Sequence, residues 1–241
     1  MNGFIDLHCH ILPGLDDGPT SVDQSLEMLD IAAADGIAHI FATPHVMAGT
    51  YDNDTDRINE GLDRMRAQLP NGTRMFTGAD VRITPDLPAL VSSGLIPTLG
   101  NSGYLLIELP SYSMPLNLEQ LVFNLLQKKV IPIITHPERH PFFAERRSLL
   151  KSLRSDGALC QVTAMSVTGG FGRQVQEIAL DMIDEGLIDF VATDAHNAKR
   201  RPPILSKAYR EVVRQFDTPT ANRLFFTNPQ MVLDKCQISD V

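Results

Sequence analysis

Seven short runs rich in Ile, Val, Leu, Phe and Thr punctuate the chain, at 4–10, 39–45, 74–81, 104–109, 131–137, 158–164 and 190–196. Each has the length and composition of a buried strand and ends in polar residues. The ends, at His10, His45, Asp80, Glu108, His136, Ala164 and Asp194, follow one another every 28 to 35 residues. A strand–helix–strand unit takes roughly 30 residues, so each interval has room for one helix. After Thr20-Ser21, the apolar positions Val22, Leu26, Leu29 and Ala33 recur at helical spacing and stop at Gly36. Leu118, Leu121, Val122, Leu125 and Leu126 mark a second helix before Lys128-Lys129, and Val175, Ile178, Ala179, Met182 and Ile183 a third that ends near Gly186. Pro202-Pro203 introduces a further segment at 204–216, and Asn228-Pro229 opens a last short one. Alternating strands and helices predict a parallel sheet. Seven strands with apolar interiors favour a closed or nearly closed (β/α) barrel, with an open doubly wound sheet as the alternative.

The 241 residues suit one such barrel, and no Ser/Gly-rich linker divides them. One domain spanning 1–241 is therefore expected. A hydrophobic share of 43% and a charged share of 21% are those of a soluble globular chain. The formal charge of −8 argues against a generic nucleic-acid binder and against docking on anionic membranes. Cys9, Cys160 and Cys236 are too few and odd in number for a disulfide framework. No apolar run approaches the ~18 residues of a membrane span, and the N-terminus lacks the pattern of a signal peptide. These features predict a cytoplasmic protein with no direct membrane insertion; they assign no oligomeric state.

In a (β/α) barrel the functional groups collect at the C-terminal ends of the strands. Here those ends carry His8-Cys9-His10, His45, Asp80, Glu108, His136 and Asp194-Ala195-His196. Side chains two apart on a strand face the same way. His8 and His10 should point together with Cys9 turned away, and Asp194 should pair with His196. Two same-face pairs and four single ligand types at matching ends predict a polynuclear metal site, since buried carboxylates and imidazoles without a cation are costly. Asp16-Asp17 follows the first strand, and position alone does not say which carboxylate joins the site. Nitrogen and oxygen donors without thiolate suit manganese, iron or zinc. Clustered divalent ions activate water and clamp the oxygens of an ester undergoing displacement, which points to phosphate ester hydrolysis. Arg139, three residues after His136, and Arg201, five after His196, offer planar forks for phosphate oxygens. Lys199 and Arg200 read as rim charge.

At these residues the sequence resembles the PHP (polymerase and histidinol phosphatase) family of metallophosphoesterases. The stretch 6–19, with His8-Cys9-His10 and Asp16-Asp17-Gly18-Pro19, is similar to the bacterial protein-tyrosine phosphatases of capsule and exopolysaccharide systems. So are Thr43-Pro44-His45, Thr135-His136-Pro137-Glu138-Arg139, Thr193-Asp194-Ala195-His196, Arg201-Pro202-Pro203 and Asn228-Pro229. The resemblance implies the PHP fold, a distorted seven-stranded (β/α)7 TIM-like barrel holding three divalent ions, with manganese foremost. It implies that His8, His10, Asp80 and Asp194 hold one ion, that Asp80, Glu108 and His136 hold a second, and that Asp17, His45 and His196 hold a third. It also implies phosphate on Arg139 and Arg201, and it favours Asp17 over Asp16. The family carries Glu at the bridging position, where this chain has the shorter Asp80.

The expected activity is metal-dependent hydrolysis of phosphotyrosine, with a phosphotyrosine-rich tail of a polysaccharide-system kinase as the protein substrate implied by the resemblance. A phenol of pKa ~10 leaves with less help than an alkoxide, so no general acid is assigned. No Cys-x5-Arg pattern occurs, which argues against a thiol nucleophile. Met47, Tyr51, Phe142, Phe143 and Phe171 are candidate rim contacts, each with ordinary loop packing as the alternative. Two competing functions are a small-molecule phosphatase of the same fold, such as one acting on histidinol phosphate, and a catalytically weak regulatory module. His39 and His140 receive no metal role.

Overall fold

In the computed structural model, which describes residues 3–236 apart from 71 and 112, every strand-to-strand pairing is parallel. The strands are β1 (Phe4–Cys9), β2 (Ile37–Ala42), β3 (His45–Val46), β4 (Arg74–Thr77), β5 (Asp80–Arg82), β6 (Tyr104–Glu108), β7 (Ile131–Thr135), β8 (Leu159–Thr163) and β9 (Phe190–Ala192). They form a three-stranded sheet in the order β1-β2-β4 and a six-stranded sheet in the order β3-β5-β6-β7-β8-β9. The chain is thus a mixed α/β fold built on parallel sheets.

Among the described residues nine strands stand where seven were expected, because two runs break. The run at 39–45 splits into β2 and β3 at Pro44, which has no N–H for the ladder. The Pro44 carbonyl instead accepts the backbone N–H of Asp80 at 3.1 Å. The run at 74–81 splits into β4 and β5 at Gly78-Ala79. A Cβ on Gly78 would lie 2.8 Å from Leu99 and 2.9 Å from the Thr43 methyl, so only glycine lets these segments close on one another. Among the described residues the sheets do not join into one continuous ring. They meet where Cys9 bridges Ala195, flanked by His10 N–H donating to the Ala195 carbonyl and Asp194 N–H donating to the His8 carbonyl, both at 2.8 Å. The last run also ends early, at Ala192, and Asp194 turns the backbone into the left-handed region with φ 51°.

The helices lie in the intervals, as the spacing requires. They are α1 (Val22–Ala34), α2 (Thr55–Arg66), α3 (Leu87–Ser92), α4 (Leu118–Gln127), α5 (Pro141–Glu145), α6 (Arg147–Ser155), α7 (Ala164–Val167), α8 (Arg173–Asp184), α9 (Ser206–Gln215), α10 (Thr218–Asn222) and α11 (Asn228–Leu233). Ser21 caps α1 by accepting the Gln24 N–H, as the Thr20-Ser21 start predicts. Asn228-Pro229 opens α11 as expected, and α11 follows α10 through a π-helical turn at Arg223–Thr227. Helices α2 and α6 lie in intervals where the apolar pattern singled out no particular residues.

Two buried clusters show how the strands set the site. Leu105 and Ile107 of β6 pack outward with Leu121, Val122 and Leu125 of α4, whereas Leu106 turns inward. The inner cluster joins Ile5 and Leu7 of β1, Phe41 of β2, Leu106, Ile133 of β7 and Ala192 of β9, spanning both sheets. The period of two along a strand then carries this inner face to polar residues at the strand ends. Glu108 lies two beyond Leu106, and Thr135 two beyond Ile133, while Asp80 pairs in register with Leu106.

Candidate metal centre

The structure brings His8, His10, Asp17, His45, Asp80, Glu108, Asp194 and His196 into overlapping groups, with His136 at their edge. His8 and His10 do point together, their Nε2 atoms 3.0 Å apart, while Cys9 is fully buried in the outer cluster among the helices. The arrangement of the two rings is fixed from behind. His8 Nδ1 lies 2.9 Å from Gln161 Oε1, and His10 Nδ1 lies 2.6 Å from Asp16 Oδ2. Both oxygens are acceptors, so both Nδ1 atoms donate and both Nε2 lone pairs face each other. Two lone pairs at that distance in a fully buried site require a proton or a cation between them. Burial alone would depress His10, but the Asp16 carboxylate, then Asp194, raises it to about 10. Burial takes His8 the other way, down to about 4.

Among the described residues three groups of side chains could each hold an ion: His8, His10 and Asp194; His10, Asp17, His45 and His196; and His45, Asp80 and Glu108. A second observation fits cations here. His45 Nδ1 and Asp80 Oδ2 face each other at 3.2 Å, both buried, and neither has a hydrogen-bond partner. Asp80 Oδ2 also lies 3.6 Å from His8 Nε2, which places the carboxylate between groups as a bridging residue would be. Burial would raise Asp80, but His8 and His45 beside it hold it well below the usual carboxylate range. Burial and the neighbouring Asp80 charge push Glu108 up. The donor set contains imidazole and carboxylate only, as manganese, iron or zinc would take. His136 stands at the edge, with Nε2 3.7 Å from Glu108 Oε1, and its backbone is left-handed at φ 36°. His136 and Asp194 are non-glycine residues held in this sparsely populated conformation, a strain that concentrates at functional sites.

Asp16 and Asp17 divide their work. Asp16 is buried and accepts from His10 Nδ1, the His45 N–H at 2.9 Å and the Gly18 N–H at 2.9 Å. Asp17 is half exposed and lies 3.3 Å from His196 Nε2 and 3.7 Å from His45 Nε2, open to an ion.

Arg139 and Arg201 converge on one atom. Arg139 Nη1 is 3.0 Å and Arg201 Nη2 2.6 Å from Asp194 Oδ2. The other oxygen, Oδ1, faces His8, His10 and His196 at 3.5–3.6 Å. Asp194 thus separates a cation-seeking side from an anion-seeking side. Burial would raise its carboxyl, but His8 and Arg139 hold it well below the ordinary range. A cavity of about 120 Å³ opens beside Glu108, Thr135, His136 and Arg139, and a larger one of about 370 Å³ is lined by Asp17, His196, Lys199 and Arg200.

Comparison with known proteins decides the family. The family described as capsular polysaccharide synthesis, CpsB/CapC, matches residues 4–234. The chain belongs to the CpsB/CapC family. This family member is 38% identical over 201 residues to the tyrosine-protein phosphatase YwqE of Bacillus subtilis, covering 82% of this chain and 79% of YwqE. It is 35% identical over 211 residues to CapC of Staphylococcus aureus, covering 86% and 83% of the two chains. A solved structure from work on YwqE of Bacillus subtilis and CpsB of Streptococcus pneumoniae, described as metal-dependent tyrosine phosphatases, superposes with a TM-score of 0.92 at 34% identity, covering 97% of this chain and 96% of its own.

Several residues of this CpsB/CapC chain escaped sequence reasoning. Gln161 orients His8. Arg82 holds Glu108 Oε2 through Nη2 at 2.9 Å and Nε at 3.2 Å. Asp6 accepts the Thr193 N–H at 2.9 Å and the Thr193 hydroxyl, and burial pushes its carboxyl up to about 7. Gln161 lies two before Thr163 on β8, and Arg82 two after Asp80 on β5, so the strand period could have pointed to both. Of the rim candidates, Tyr51 stacks on His45 with centroids 5.8 Å apart. Met47 pairs with Tyr51 through its backbone, and Phe142 lies beneath Arg146. Phe143 takes the packing alternative: it is fully buried in the core and lies at the base of the small cavity beside Glu108 and Arg139.

Proposed function

We propose that this chain is a metal-dependent phosphatase that hydrolyses phosphotyrosine in proteins, acting on the tyrosine-rich tail of a polysaccharide-system kinase. The observation that carries the reading is Asp194, which sets three histidines against one oxygen and two arginines against the other. A phosphate ester needs both halves, a set of cations and a set of anion-binding forks. The likeness to relatives named as tyrosine-protein phosphatases supports the choice of ester.

The residue types suit three divalent ions, manganese first, with iron or zinc as substitutes. His8, His10, Asp80 and Asp194 would hold one, Asp80, Glu108 and His136 a second, and Asp17, His45 and His196 a third. When bound, such ions lower the pKa of a nearby water and draw charge from phosphoryl oxygens. The chain's own groups do the rest. Asp16 and Gln161 keep the Nε2 atoms of His10 and His8 free by holding their Nδ1 protons. Arg139 and Arg201 orient the phosphoryl group and stabilise the charge that builds on it. A tyrosine phenolate of pKa ~10 leaves without an assigned acid. Thiol chemistry finds no support: Cys9 and Cys160 are fully buried, and burial pushes Cys160 and Cys236 up to about 12.

The same reading takes the two sheets as one distorted seven-stranded (β/α)7 barrel, a single PHP-type domain over 1–241 working in the cytoplasm. Among the described residues no helix is long and apolar enough to cross a membrane. The test is metal analysis of the purified protein with turnover of a phosphotyrosine peptide and of histidinol phosphate. Chelation should abolish peptide hydrolysis and manganese restore it. Turnover that survives complete metal removal, or a preference for histidinol phosphate, would sink the reading.

A further inference from the structure

Both arginines rest on a single aromatic ring. The Arg139 guanidinium carbon is 5.1 Å and that of Arg201 5.9 Å from the centroid of Phe171. The two residues come from different loops, after β7 and after β9, and the ring comes from a third, after β8. Phe171 therefore packs against a pair of cations that repel each other and share one carboxylate oxygen. Its own position is tightly set. It sits in Gly169-Gly170-Phe171-Gly172, where Gly169 and Gly172 have φ of 80° and 94°. The Gly170 N–H donates to the Met165 carbonyl at 2.7 Å, and the Gly172 N–H to the Gly169 carbonyl at 3.0 Å. A Cβ on Gly170 would come within 2.8 Å of the Met165 methyl, so the turn fits closely over α7.

The guanidiniums have unspent donors. Arg201 Nε is buried and has no hydrogen-bond partner, although Nη2 of the same fork reaches Asp194. An anion with several oxygens would take such a donor, whereas one carboxylate oxygen cannot. The face of an aromatic ring attracts a cation without accepting its in-plane N–H groups. It can hold a guanidinium in place and leave the fork free for the anion.

We infer that Phe171 is a positioning residue that holds Arg139 and Arg201 together as one phosphate-binding pair. The inference rests on the reading above that these arginines take the phosphoryl oxygens, and it adds the residue that makes them act jointly. Phe171 works through the arginines, so its removal weakens the grip on any phosphate group, including inorganic phosphate with no leaving group at all. Two ring–cation contacts of ordinary strength correspond to an effect of about 5- to 30-fold.

The experiment compares the manganese-loaded protein with F171L, F171M, F171Y and R201A. It measures kcat and KM on a phosphotyrosine peptide and the competitive inhibition constant of inorganic phosphate. In F171L and F171M, KM and the phosphate constant should both rise about 5- to 30-fold, with kcat less affected, and F171Y should restore both. If F171L fails to fold, F171M and F171Y carry the comparison. R201A separates the two levels of argument. If R201A leaves the phosphate constant unchanged, the phosphate-binding reading fails. If R201A raises it but loss of the ring does not, the role of Phe171 fails and the reading stands. A loss confined to kcat, with the phosphate constant unmoved, would show that the ring does not set the grip of the two arginines on phosphate. A rise in peptide KM with an unmoved phosphate constant would place the ring against the tyrosine instead. Either result overturns the inference.

Discussion

Replacing Asp16 by Asn tests whether an outer carboxylate sets the metal affinity of the site. Asp16 accepts three hydrogen bonds, with Oδ2 serving His10 Nδ1 at 2.6 Å and the His45 N–H at 2.9 Å, and Oδ1 serving the Gly18 N–H at 2.9 Å. An Asn amide has one acceptor oxygen in place of two. If that oxygen faces His10 and His45, the NH2 group faces the Gly18 donor. If it faces Gly18, His10 loses its acceptor and its tautomer is no longer fixed. In either orientation the charge on the bond to His10 is gone. A hydrogen bond to a charged group is worth about 1.5–3 kcal/mol, and an unsatisfied buried donor costs about 1–3 kcal/mol. Partners that orient a metal-binding histidine typically set about 10–100-fold in affinity. D16N should therefore bind manganese about 10–100-fold more weakly by calorimetric titration of the chelated, dialysed protein. Its metal-free form should also melt at a lower temperature. An affinity within about twofold of the unsubstituted protein, in a folded variant, would refute the claim that Asp16 holds His10 ready for a cation.

Other outcomes follow from the same geometry. His10 is raised to about 10, so below that pH its protonated form must give up a proton to take a cation at Nε2. Metal affinity should therefore fall as pH drops from 9 to 6, by about tenfold per unit from this group. Titration in two buffers of different ionisation enthalpy should show the released proton, and its absence would count against the assignment. D80E lengthens the side chain between His8 and His45 by one methylene and should keep or raise turnover; a large loss with the metals still bound would argue otherwise. Phe143→Ala empties a fully buried site and should cost about 3–5 kcal/mol in denaturant unfolding. Cys160→Ala should leave kcat essentially unchanged on a phosphotyrosine peptide, since the buried thiol points away from the chemistry.

Most candidate ligands were legible because they stand at or near a strand end, where a period of two and a spacing of 28 to 35 residues align them. Those rules are local and survive the irregularities of the real sheets. What they missed depends on contacts between distant segments. Nothing local in the 39–45 run shows that Pro44 hands its carbonyl to Asp80, or that Gly78 is squeezed between Leu99 and Thr43. The pairing of Asp194 with His196 was expected from strand alternation, yet the strand ends at Ala192, and a left-handed Asp194 brings the two together by another route. Register also shifts between Asp6 and Cys9, so the alternation that placed His8 and His10 correctly is not regular along β1. Gln161, Arg82 and Phe171 are common residue types whose roles exist only through partners on other strands and loops.

The edge where the two sheets meet has a consequence for how the chain folds. The pairing of β1 with the segment after β9 joins residues as far apart as Asp6 and Thr193, 187 positions along the chain. Neighbouring strands elsewhere close loops of a few dozen residues. Loop-closure entropy rises with the length enclosed, so this edge is the most demanding of the strand pairings and is rewarded late in folding. His8, His10, Asp194 and His196 lie on the two sides of that edge. A nascent or partly folded chain therefore presents these ligands on two unjoined segments, and cation capture in a refolding experiment should report the final closure event rather than the early assembly of the helices and inner strands.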